Sequence, residues 1–62
     1  MIKTYSMEVD NGTCISFTDY PFDSTGLKKA KDFADFLMRG SIDLQSIIIY
    51  NPENQIIFEA KF

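Results

Sequence analysis

The chain has no histidine and a single cysteine, Cys14. The missing imidazole removes the commonest general base and the commonest metal ligand at neutral pH. One thiolate cannot assemble a zinc site within a single chain, nor can it form the internal disulfides that small secreted domains usually need. Cytoplasmic residence is therefore expected. No apolar run approaches the roughly 20 residues that span a bilayer, and the opening Met1-Ile2-Lys3-Thr4-Tyr5-Ser6 lacks the apolar centre of a signal peptide. No membrane partner is expected. The three glycines stand apart at Gly12, Gly26 and Gly40, which excludes a phosphate-cradling glycine-rich loop. Cys14 sits between Thr13 and Ile15, without the basic sequence neighbours that activate a thiol. The nine carboxylates are scattered, and Asp10, Asp19, Asp23 and Glu53 fall where turns and caps routinely use acids. No catalytic residue, metal ligand or cofactor site is expected, and the chain reads as a non-enzyme.

What remains suits a single small domain. Sixty-two residues with 45% apolar side chains fall well inside the globular range. A chain of this length buries only about 60% of its unfolded surface. Nine aromatic residues, Tyr5, Phe17, Tyr20, Phe22, Phe33, Phe36, Tyr50, Phe58 and Phe62, offset that handicap. Self-association, as a homodimer, is a further source of stability for so short a chain. The net charge of −3 favours solubility and is a handicap for non-specific nucleic-acid binding, which depends on neutralising phosphates.

Hydropathy patterning predicts four strands and one helix. Tyr5, Met7 and Val9 alternate with polar residues, as do Ile15 and Phe17, with Asp10-Asn11-Gly12 as the turn between them. A three-residue loop with Gly12 left-handed pairs Val9 with Thr13 and Met7 with Ile15, which gathers the large apolar groups on one face. Ser24 or Thr25 is the expected N-cap of a helix ending near Arg39, with Gly40 at a left-handed C-cap. Leu27, Ala30, Phe33, Ala34, Leu37 and Met38 form its apolar stripe. Beyond it, Ile42, Leu44, Ile48 and Tyr50, then Ile56, Phe58, Ala60 and Phe62, recur at even positions. Between them Asn51-Pro52-Glu53-Asn54 predicts a three-residue loop, with Pro52 at its first corner and Asn54 left-handed. The expected fold is α+β, in the order ββαββ: a four-stranded, mainly antiparallel sheet with one helix packed on one face.

Three features are left over as candidate contact residues. Lys28, Lys29 and Lys31 place positive charge in the first turns of the helix, against its dipole. They either solubilise an exposed face beside Asp32 and Asp35 or meet an acidic partner. Phe36 lies away from the apolar stripe, and either folds under Tyr20-Pro21-Phe22 or is exposed. If even positions of the second hairpin face the helix, Ile47, Ile49 and Ile57 form an apolar patch on the outer face, of the kind that marks association surfaces.

The segment Leu27-Lys28-Lys29-Ala30-Lys31-Asp32-Phe33-Ala34, followed by the closing hairpin Ile47 to Phe58, resembles the small accessory proteins of bacteriophages and other mobile elements, anti-CRISPR and related anti-defence inhibitors among them. The resemblance implies stoichiometric inhibition of a host enzyme or nucleoprotein complex and transfers no functional residue. The expected function is protein binding through Ile47, Ile49, Ile57, Lys28, Lys29 and Phe36. The alternative is a nucleic-acid-associated protein using Lys28, Lys29 and Lys31 with Tyr5 or Tyr20 as stacking groups.

Overall fold

Side-chain amides and carboxylates hold the two hairpin loops. In the first, the Asp10 carboxylate accepts from the Gly12 N–H (2.9 Å), and Asn11 Oδ1 accepts from the N–H groups of Thr13 (3.1 Å) and Cys14 (3.0 Å). Gly12 is left-handed at φ 87°, as its lack of a Cβ permits. In the second, Asn51 Oδ1 accepts from Glu53 (3.0 Å) and Gln55 (2.8 Å), and Asn54 is left-handed at φ 66°. The Asn51 N–H donates to the Gln55 carbonyl at 2.9 Å, which makes the expected three-residue loop.

The computed structural model describes residues 3–40 and 43–62. Its elements are β1 (Thr4–Asp10), β2 (Ile15–Pro21), α1 (Ser24–Gly40), β3 (Ser46–Tyr50) and β4 (Ile56–Lys61). The strands form one antiparallel sheet in the order β2-β1-β3-β4, which gives the expected ββαββ, α+β architecture. The helix lies over β2 and β1.

The registers explain which residues reach the helix. The row Thr18–Met7–Ile49–Phe58 crosses the sheet on the helix side, followed by Ser16–Val9–Ile47–Ala60. Met7, Ile47 and Ile49 are 0% exposed and form the core with Ala30, Ala34 and Leu44. The expected outward placement of Ile47 and Ile49 is thus corrected. The ladder runs Tyr50 to Ile56 and then Ile49 to Phe58, so Ile57 is an extra residue at a bulge. That insertion reverses the parity of one strand against the other. Phe58 and Ala60 point inward as expected, but their partners are the odd-numbered isoleucines. Ile48, Tyr50 and Ile56 go to the opposite face. Ile42, expected inward, lies outside the described residues.

The first hairpin is also shifted. Its ladder closes at Asp10–Ile15 and pairs Met7 with Thr18, instead of the expected Met7–Ile15 pairing. Asn11 draws both Thr13 and Cys14 into the loop, which moves the second strand along and turns Ile15 and Phe17 outward.

The helix starts one residue before expectation. Asp23 is its N-cap, with its carboxylate accepting from the Gly26 N–H at 2.7 Å. The buried line is Gly26, Ala30 and Ala34, flanked by half-buried Leu27 and Leu37, whereas Phe33 and Met38 are exposed. Small residues at i, i+4 and i+8 let the helix backbone approach the sheet closely. At Gly26 the fit is absolute, because a Cβ there would land on the Pro21 carbonyl. Gly40 closes the last turn in a helical rather than a left-handed conformation.

Gly26→Ala should therefore destabilise the fold by about 1–3 kcal/mol, the usual cost of overpacking, although alanine is the better helix former; chemical denaturation measures it. Ile49→Ala should cost about 2–5 kcal/mol through cavity formation. Against a total of about 5–15 kcal/mol for a small domain, circular dichroism should show a large drop in melting temperature.

Candidate functional site: the uncovered face of the sheet

Among the described residues, one helix covers one face of the sheet and no element packs on the other. Three rows of side chains can be read across it from the registers. They are Ile15–Asp10–Ser46–Lys61, Phe17–Glu8–Ile48–Glu59 and Asp19–Ser6–Tyr50–Ile56. The central strands set Ile48 and Tyr50 half-buried, while Phe17 is 67% exposed and Ile15 and Ile56 are each more than half exposed. Glu8 stands between Phe17 and Ile48 and is half-buried in the middle of the face. At the rim, the Ser6 hydroxyl donates to Asp19 at 3.1 Å, and Lys61 lies 3.7 Å from Glu59.

Charge is distributed unevenly. Among the paired strand residues, Glu8, Asp10, Asp19 and Glu59 share this face with Lys61 as the one base, while the other five acids and five bases of the chain cancel. The paired strand residues of the face that carries the exposed apolar side chains thus hold a net charge equal to the negative excess of the protein. With strands about 4.8 Å apart and about 3.3 Å per residue, the face, polar and apolar side chains together, measures on the order of 400 Å².

The residues singled out by sequence are dispersed. Ile47 and Ile49 belong to the core, and Ile57, 41% exposed, is the bulge residue of an edge strand. Lys28, Lys29 and Lys31 are exposed on the helix; Ser24, Leu27, Lys28, Lys31 and Asp32 line a shallow groove there. Phe36 is also exposed and stacks on Phe33 with ring centroids 6.3 Å apart. It does not fold under Tyr20-Pro21-Phe22, because Phe22 meets Tyr5 edge-on at 5.0 Å instead. Tyr5 and Tyr20 pack against the core, so neither stands beside the lysines as an open stacking platform. Burial also pushes the Tyr20 phenol above its ordinary pKa.

Sequence reasoning missed Ile15, Phe17, Ile48, Tyr50 and Ile56 as surface residues and gave Glu8 no role. The signal for the bulge is the doublet Ile56-Ile57, where period-two alternation breaks. The run Ile47-Ile48-Ile49-Tyr50 has no polar residue to mark a face.

Among the described residues, no helix is long and apolar enough to cross a membrane. Comparison with protein-family models, curated proteins and solved structures finds no match to this chain.

Because Phe17 contributes little to the core, Phe17→Ser should change stability by less than about 0.5 kcal/mol, as surface substitutions usually do. A thermal melt that drops as far as that of Ile49→Ala would place Phe17 in a packed environment.

Proposed function

We propose that this protein is a non-enzymatic binding module that docks a cationic protein surface on the uncovered face of its sheet. The observation that carries this reading is the position of Glu8, a half-buried residue between Phe17 and Ile48, at the centre of a face whose strand residues carry a net charge equal to the chain's negative excess. A partner offering apolar side chains around a lysine or arginine satisfies both features. Its hydrophobic groups cover Phe17, Ile48 and Tyr50, and its cation pairs with the Glu8 carboxylate that stands between them in the register. Charge-assisted hydrogen bonds gain strength as the contact dries.

The magnitude of the contact follows from its area. A face on the order of 400 Å² is about half of what one partner contributes to a standard interface. A contact confined to this face falls in the small, transient class of interfaces unless the partner also wraps an edge of the sheet. The narrower expectation of a phage-type inhibitor rests on the sequence resemblance alone and has no relative behind it. The same surface would serve such an inhibitor by occupying a cationic site on its target.

The test compares crosslinked capture by the wild type, by Phe17→Ser, by Glu8→Lys and by Lys28→Glu/Lys29→Glu. Loss of the same captured proteins with the first two variants, and retention with the lysine variant, is the expected result. The reverse pattern would move the binding surface to the helix. There, retention on heparin that weakens steeply with salt would mark the nucleic-acid alternative.

A further inference from the structure

We propose that β4 pairs with β4 of a second copy of this chain, antiparallel about a two-fold axis at Ala60, to make one continuous eight-stranded sheet. This goes beyond the binding face and uses the sheet edge.

β4 is an edge strand, and its hydrogen-bonding pattern follows from one contact. The Phe62 N–H donates to the Gln45 carbonyl at 2.9 Å, in register with the Ile47–Ala60 and Ile49–Phe58 pairs. In an antiparallel ladder the backbone groups alternate in direction. Phe58, Ala60 and Phe62 therefore face β3, and the N–H and C=O groups of Glu59 and Lys61 point to the free edge. Only registers that place these odd-numbered residues opposite each other can form the new ladder.

Three such registers are available to a two-fold pairing, and the side chains choose among them. Centring on Glu59 puts Glu59 directly opposite itself, and centring on Lys61 puts Lys61 opposite itself. Both oppose like charges, which destabilises a cross-strand pair. Centring on Ala60 instead places Glu59 opposite Lys61 twice, with four backbone hydrogen bonds between them. The same register places Phe58 opposite Phe62 twice on the helix side of the sheet. Those rings have reason to pair. The helix lies over β2 and β1, leaving Phe58 half-buried and Phe62 61% exposed at the β4 side. Charge and aromatic complementarity thus converge on one register without adjustment. At the opposite edge, Pro21 supplies no N–H, and a proline there blunts pairing.

The pairing exchanges the 3.7 Å contact between Glu59 and Lys61 of one chain for two cross-strand pairs. It also brings two bare sheet faces into one surface of double area, with both helices on the other side.

Sedimentation equilibrium of the full chain tests this. A monomer–dimer equilibrium is expected, and Lys61→Glu or Glu59→Lys should each weaken it by about tenfold or more, because each opposes like charges twice. The double exchange Glu59→Lys/Lys61→Glu should restore it. Hydrogen exchange should slow at Glu59 and Lys61 as concentration rises, while Phe17→Ser and Glu8→Lys leave the equilibrium unchanged. A chain that stays monomeric to about 1 mM, well above the range of specific association, overturns the proposal. So does a dimer that ignores the single charge changes, a double exchange that fails to rescue while circular dichroism stays native, or new protection at Phe17 and Asp19 in place of β4. Because Phe17 and Glu8 lie on the other half of the sheet, loss of partner capture with an intact dimer, or the converse, separates this inference from the binding-face reading.

Discussion

A four-stranded sheet has two faces to shield, and the described residues supply one helix with which to shield them. That helix can lie close to the sheet because Gly26, Ala30 and Ala34 present almost no side chain on its inner line, and Gly26 meets the Pro21 carbonyl with no room for a Cβ. Close approach dries Met7, Ile47 and Ile49 completely. The rest follows from this economy. The buried layer is thin and depends on a few branched side chains, and the second face is left to water or to a partner.

The residues on that second face are not what a face destined only for water would carry. Ile15, Phe17, Ile48, Tyr50 and Ile56 share the three rows with four carboxylates, and the row Phe17–Glu8–Ile48–Glu59 alternates apolar with acid. Charge on an apolar sheet keeps it from pairing with its own kind face to face, since two such surfaces would bring acids against acids. In the proposed binding role it would select for partners of the opposite sign. The edge at β4 has a different character. It offers alternating charge of both signs and an aromatic at each end, which suits contact with itself. One sheet therefore carries two surfaces with opposite preferences, set by how acids and bases are distributed along neighbouring strands.

Much of the local structure was legible because short-range chemistry dictates it. Asp10-Asn11-Gly12 and Asn51-Pro52-Glu53-Asn54 announce turns, and Gly12 and Asn54 adopt the left-handed conformation their residue types favour. The amphipathic helix and four strands follow from periodicity. Side-chain direction was less legible. Ile47-Ile48-Ile49 offers no polar residue to break its symmetry, and the bulge at Ile57 depends on how β4 lies against β3. Asp23 displaced Ser24 and Thr25 as the cap because its carboxylate reaches the Gly26 N–H, while Ser24 already lies within the helix.

The sequence by itself determined the number, kind and order of the elements and the places where the chain reverses, since these depend on interactions between residues a few positions apart. Only the tertiary structure decided which isoleucines lie under the helix, which strands form the edges, and that acids and exposed apolar groups share one face. Those outcomes depend on registers between strands far apart in the chain. There a single inserted residue exchanges inside for outside while leaving every local preference satisfied.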